Sequence, residues 1–229
     1  MKALILAAGR GERMRPLTDH TPKPLLRVRG KPLIEWHLEA LARGGVREVV
    51  INTAWLEDSL VSALGDGSRW GLALHYSMEG RDHGGALETA GGIAKALPLL
   101  VSETSACFWV VSGDVHLPGF RFDPAAAQRF ELGGMLAHLW LVPNAPHHPQ
   151  GDFGIDAQGF ASHTAQPRYT WASVGLFHAA LVGGVVPGHK AALRPLLDAA
   201  ISQQRISAER YDGAWTDVGT VQRLEALNR

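Results

Sequence analysis

Cysteine is nearly missing from this chain. Cys107 stands alone among 229 residues, which excludes an intrachain disulfide and a cysteine-built zinc site and fits a cytoplasmic setting. Net charge is missing too, because 22 Lys+Arg balance 22 Asp+Glu. Without an overall field there is no footprint for coating a nucleic acid or holding an anionic membrane, so neither is expected as a partner. No stretch approaches the ~20 apolar residues of a membrane-crossing helix. The opening MKALILAAGRGERMRP sets a basic residue before a short apolar run, but that run passes straight into Gly and Arg, unlike a signal peptide. Polar-rich linkers and internal repeats, hexapeptide repeats included, are also absent. One domain spanning residues 1–229 is therefore expected, and with no apolar heptad a monomer is the default.

What is present reads as a globular chain. Hydrophobic residues make up 46% and charged ones 19%, which argues against disorder. The neutral total hides an asymmetry. Residues 1–31 hold eight bases against two acids, a balance of +6, and the remainder compensates with −6. An anion is expected near the amino terminus.

The pattern along the chain alternates. Ala3–Ala7 is a continuous apolar run, as in a strand buried on both faces, followed by a Gly/Arg/Pro loop to about Gly30. Pro32 opens a helix that stops at Gly44. Strands are expected at Glu48–Asn52, Leu72–Tyr76 and Phe108–Asp114. Helices are expected at Trp55–Leu64 and at Leu87–Leu97, the latter interrupted early by Gly91 and Gly92. This rhythm predicts a mostly parallel α/β sheet with right-handed crossovers. Beyond Asp114, strands at Met135–Val142 and Thr170–Phe177 and helices at Lys190–Ser202 and Thr220–Leu227 point to a mixed sheet.

A buried strand running into AAGRG offers successive backbone N–H groups in a loop able to cradle phosphate. Neither common loop matches it. A Rossmann fingerprint needs a third glycine where Met14 stands, and the Gly-Lys-Ser/Thr of a Walker A loop is absent. The whole string LAAGRGERMRPLTDHTPKPLLRVRGKPLIEW, followed in order by LETAGGI (Leu87–Ile93), SGDV (Ser112–Val115) and WTDVGT (Trp215–Thr220), resembles the signature of the sugar-1-phosphate nucleotidyltransferases. The four motifs cover nearly the whole chain.

That resemblance implies a three-layer, Rossmann-like α/β fold with a mostly parallel central mixed sheet, residues 1–114 serving mainly the nucleotide and 115–229 mainly the sugar. It implies an enzyme that joins a nucleoside triphosphate to a sugar-1-phosphate, releasing diphosphate, with Mg²⁺. Arg13 and Lys23 become the catalytic cations. An Arg fork suits the β- and γ-phosphates, and a Lys point charge suits the α-phosphate or its partner. Leu6, Ala7, Ala8, Gly9 and Gly11, with Glu88, Thr89 and Gly91, become nucleotide-binding, and Asp114 and Asp217 the metal ligands. Two carboxylates plus phosphate oxygens and waters make an ordinary Mg²⁺ set, although either Asp could instead cap a following turn or helix. Asp152, Tyr169, Thr170 and Trp171 would line the sugar pocket, and Trp171 could equally be core.

Within the family, INTAWL, DGSRWGL and NAPHHPQGDF are most similar to the branch that uridylylates N-acetylmuramic acid α-1-phosphate in peptidoglycan recycling. UTP and that sugar phosphate are the expected substrates. Mannose-1-phosphate with GTP is the alternative, and a non-catalytic sugar-nucleotide binder a second. A glycosyltransferase would use Asp-x-Asp where this chain has Gly-Asp-Val. The departures are Ala90 and Ser173 in place of glycines, Ser112 in place of Asn, a longer 81–86 loop, and no Glu-Lys-Pro lysine. For that lysine, Arg168 or Lys190 is the substitute considered. His147 and His148, adjacent in a Pro-rich loop and lacking a third ligand, are expected to be solvated.

Overall fold

The structure, a computed structural model, describes residues 1–229. The first apolar run is strand β1 (Lys2–Leu6). The glycine-rich segment after it is more ordered than a plain loop: it coils through three short 3₁₀ turns and ends in a hairpin, β2 (Arg27–Val28) with β3 (Lys31–Pro32). There follow α1 (Leu33–Arg43), β4 (Glu48–Thr53), α2 (Glu57–Leu64), β5 (Ala73–Met78), α3 (Glu79–His83), α4 (Glu88–Leu100), β6 (Cys107–Ser112) and β7 (Val115–His116). The second half supplies α5 (Pro124–Gly133), β8 (Ala137–Val142), β9 (Phe153–Ile155), β10 (Ala161–Ser162), β11 (Arg168–His178), α6 (Arg194–Ser202), β12 (Ile206–Arg210), β13 (Thr216–Asp217) and α7 (Val221–Asn228).

Strands β5, β4, β1 and β6 lie side by side in parallel. The sheet becomes mixed at β11, which runs antiparallel to both β6 and β8, with β12 parallel to β8 at the edge. The alternation of side chains along each strand explains the unbroken apolar runs. Ala3, Ile5, Val49, Ile51, Trp109 and Val111 enter the layer capped by α1, α2 and α5. Leu4, Val50, Phe108 and Val110 enter the opposite layer with α4 and α6. Three layers result, as the resemblance implies. No helix is long and apolar enough to cross a membrane.

Two expectations are corrected here. Helix α4 runs unbroken through its glycines, which are there for space. A Cβ on Gly91 would lie 2.4 Å from the His189 carbonyl oxygen, and one on Gly92 would lie 2.6 Å from both Asn52 Nδ2 and Glu79 Oε1. Phe108–Asp114 ends two residues early, so that Gly113 and Asp114 form the turn between β6 and β7. Helix α5 and strand β12 are additional to the expected elements. A small third core of Met14, Leu26, Val28, Leu33, Val218 and Leu224 packs the coiled segment after β1 against α7.

Candidate active site

At the carboxyl ends of β1, β4 and β6 lies a cavity of about 250 Å³, where open α/β sheets bind ligands. Leu6, Ala7, Ala8, Gly9 and Gly11 line it, together with Lys23, Asn52, Glu88, Thr89, Ser112 and Asp114. Gly11 adopts φ +69°, a left-handed conformation that favours glycine, and its carbonyl accepts from Thr18 Oγ1 at 2.8 Å. A buried polar network sets the cavity floor. Ala7 N–H donates to Asn52 Oδ1 at 2.8 Å, Asn52 Nδ2 to Glu79 Oε1 at 2.7 Å, and Leu87 N–H to Glu79 Oε2 at 2.8 Å. Burial pushes the Glu79 carboxyl upward, partly offset by these donors. Asn52 and Glu79 thus tie the glycine loop after β1 to the start of α4. Sequence reasoning missed both; the one signal was a polar residue ending an apolar strand.

Lys23 is buried, and its Nζ lies 2.5 Å from Asp114 Oδ2. Ser112 Oγ donates to Asp114 Oδ1 at 2.6 Å, so the serine that departs from the family pattern still serves this carboxylate. Burial raises the Asp114 carboxyl, but the Lys23 ammonium and the two hydrogen bonds outweigh it and hold the group below the usual carboxylate range. Arg13 is exposed with no ion-pair partner, whereas its neighbour Arg10 stacks on Trp55, 3.4 Å from the ring centre.

Asp217 lies outside this cavity, beside the turn that carries Asp114. Strand β13 pairs antiparallel with β7, setting Asp217 opposite Val115, and Val218 N–H donates to the Asp114 carbonyl at 2.7 Å. Arg223 Nη1 donates to Asp217 Oδ1 at 2.7 Å, and His147 Nε2 lies 2.9 Å from the same oxygen. The loop before β9 is therefore not simply solvated, since His147 meets Asp217 and Arg223, and His148 Nε2 comes within 3.3 Å of Asp152. Asp114 and Asp217 carry hard oxygen donors of the kind a divalent cation takes, and each is paired with a cation of the chain, Lys23 and Arg223.

A second cavity, of about 490 Å³, shares Glu88 and Thr89 with the first and adds Asp152, Phe153, Trp171, Leu193, Arg194 and Leu197. Glu88 holds φ +61°, a strained conformation of the kind found at ligand sites. Asp152 is locked in place: its Oδ2 accepts from Trp171 N–H at 2.8 Å, and Arg168 Nη2 donates to its carbonyl at 2.6 Å. Arg168 therefore braces this turn, and the cation lining the cavity is Arg194. Trp171 is both wall and core, stacking on Phe177. Tyr169 and Thr170 line neither cavity. Tyr169 faces the Arg210 guanidinium, and Thr170 Oγ1 donates to Asn144 Oδ1 at 2.9 Å. Gly91 lines neither as well, its α-carbon facing the 189–191 segment whose Ala191 carbonyl accepts from Ala90 and Gly91 N–H.

A cavity at the carboxyl edge of the sheet, lined by a glycine loop and adjoining a larger pocket, fits the nucleotidyltransferase family. The chain belongs to it: the family model described as Nucleotidyl transferase matches residues 2–229. The chain is 49% identical over 228 residues to N-acetylmuramate alpha-1-phosphate uridylyltransferase of Neisseria meningitidis serogroup B, covering 98% of this chain and 96% of that one. It is 30% identical over 229 residues to the Caulobacter vibrioides protein of the same name, covering 96% and 92%. A Bacillus anthracis glucose-1-phosphate thymidylyltransferase structure, solved with sucrose, superposes with a TM-score of 0.83 at 21% identity over 100% of this chain and 94% of that one, and so shares the fold.

Proposed function

We propose that this enzyme transfers a uridylyl group from UTP to N-acetylmuramic acid α-1-phosphate, giving the UDP-sugar and diphosphate, with Mg²⁺ as its metal. The observation that carries the reading is the pair of cavities joined at Glu88 and Thr89, with the Lys23–Asp114 pair set into the smaller one. The 49% identity along almost the full length of the meningococcal relative supports the substrate pair. Cytoplasmic peptidoglycan recycling, where UTP is available, is the setting that fits.

Both reacting groups are anionic, so catalysis here is a matter of placement and charge neutralisation. The loop from Ala7 to Gly11 offers backbone N–H groups to the triphosphate, and the free Arg13 fork suits its β- and γ-phosphates. Lys23, already desolvated, stands where charge builds on the α-phosphate. The sugar phosphate sits in the larger cavity and presents an oxygen to the α-phosphorus in line; diphosphate leaves, and no covalent enzyme intermediate is required. Asp114 and Asp217 would hold Mg²⁺, which when bound neutralises phosphate oxygens.

A diphosphate-release assay over a grid of nucleoside triphosphates and sugar-1-phosphates tests this. Release is expected with UTP and N-acetylmuramic acid α-1-phosphate in the presence of Mg²⁺. Silence across the grid would remove the activity, and release with GTP and mannose-1-phosphate alone would replace the substrates.

A further inference from the structure

The larger cavity carries a cation that the phosphate chemistry leaves unused. Lys23 is fixed on Asp114 in the smaller cavity, whereas Arg194 opens α6 with Leu193 and Leu197 beside it in the larger one. The Arg194 guanidinium lies over the Phe153 ring, 4.7 Å from its centre, and its Nε donates to Asp198 Oδ1 at 2.7 Å. Nη1 stands 3.8 Å from Asp152 Oδ1, beyond hydrogen-bond length, and Nη2 makes no hydrogen bond. Asp152 Oδ2 accepts from Trp171 N–H, and its Oδ1 faces both His148 and the Arg194 guanidinium. Stacking and the Asp198 bond therefore hold the fork in one orientation, in ion-pair range of Asp152, while its terminal N–H groups make no hydrogen bond, an arrangement that leaves donors for a planar anion.

The wall around it says what kind of guest brings that anion. Phe153, Trp171, Leu193 and Leu197 make much of the cavity apolar, and its volume is nearly twice that of the smaller cavity. A plain hexose, hydroxylated on every side, makes little use of such a surface. A hexose bearing an acyl amide and an acid uses both the surface and the fork. We infer that Arg194 is a specificity residue that binds a carboxylate belonging to the sugar itself. The inference rests on the function proposed above and deepens it: N-acetylmuramic acid is N-acetylglucosamine with an added lactyl ether, which supplies one carboxylate and one methyl group.

Steady-state kinetics with UTP and either N-acetylmuramic acid α-1-phosphate or N-acetylglucosamine α-1-phosphate test it on the wild type, Arg194→Met and Arg194→Lys. Met keeps an aliphatic stem of similar length while removing the guanidinium that lies over Phe153, and thermal melting reports on the fold. The ratio of kcat/KM for the acidic over the neutral sugar is expected to fall about 10- to 100-fold in Arg194→Met, the value of a hydrogen-bonded charge, with the loss in KM and partial recovery in Arg194→Lys. In calorimetry on the wild type, affinity for the acidic sugar phosphate should fall with added salt more steeply than affinity for the neutral one. A ratio within twofold of wild type in Arg194→Met, or equal salt slopes, overturns the assignment of Arg194 and leaves the reaction standing. A wild type that turns over the neutral sugar phosphate and not the acidic one overturns the underlying reading and this inference with it.

Discussion

Lys23 and Asp114 neutralise one another in the wall of the smaller cavity, so the lysine is positioned before any substrate arrives. Lys23→Met keeps the volume of the stem and removes the charge. It is expected to lower kcat/KM by about 10²- to 10³-fold with an unchanged circular dichroism spectrum, and a variant of wild-type activity would take Lys23 out of the chemistry. Glu79 acts one step further back. Both of its oxygens accept, from Asn52 Nδ2 and Leu87 N–H, so Glu79→Gln would set an amide NH₂ against one of these donors. About 1–3 kcal/mol of stability should go, read as a Tm lower by several degrees, and turnover should fall because two walls of the site lose their common anchor. A Tm within a degree of wild type would show the network to be dispensable.

At the scale of elements, β11 shows what a departure from the family pattern costs. Its register slips between Trp171 and Gly175, and Ser173 sits in that slip with φ +58°. This is the position where the family resemblance leads one to expect glycine, and the backbone explains why. Ser173→Gly relieves the left-handed strain and is expected to stabilise the protein by up to about 1 kcal/mol, raising Tm by ~2–4 °C; a lower Tm would mean the serine side chain matters more than its backbone. The central strands were legible because β1, β4 and β6 are buried on both faces and leave unbroken apolar runs. Helix α5 was overlooked despite its Asp123–Pro124 start, in which the Asp123 side chain accepts from Ala125 N–H, since its run of alanines and its exposed Leu132 carry little periodic signal. The site divides in the same way. Lys23, Asp114 and the loop glycines lie in compact local motifs. Asn52, Glu79, His147 and Arg194 owe their roles to residues remote in the chain, and no spacing rule reaches them.

For the whole molecule, acid should be a specific hazard. His37 is buried in α1, where its Nε2–H donates to the Val115 carbonyl at 2.8 Å. Burial lowers its pKa from 6.5 to about 4, the hydrogen bond opposing. The unfolded chain therefore takes up this proton first, and stability falls as pH drops from 6.5 toward 4, by roughly 3 kcal/mol in full. Urea unfolding at a series of pH values is expected to show that slope in the wild type and a flatter one in His37→Gln, which keeps a donor for Val115. Parallel slopes in the two proteins would assign the acid sensitivity to other groups.

The seam between the two ends of the chain has a consequence for biosynthesis. Asn228 in α7 accepts from Arg29 N–H across a separation of 199 residues and donates to the Arg27 carbonyl. Between these contacts the same helix brings Arg223 to Asp217. At a translation rate of about 5–20 residues per second, the glycine loop is made some 10–40 s before the helix that packs on the segment following it. Throughout that interval the nascent chain carries the glycine loop and Lys23 without Asp217. On the proposed assignment of Asp217 to the metal, a ribosome-bound chain stalled before residue 217 carries only one of the two carboxylates, and the Asp217–Arg223 pair forms only once both residues have been made.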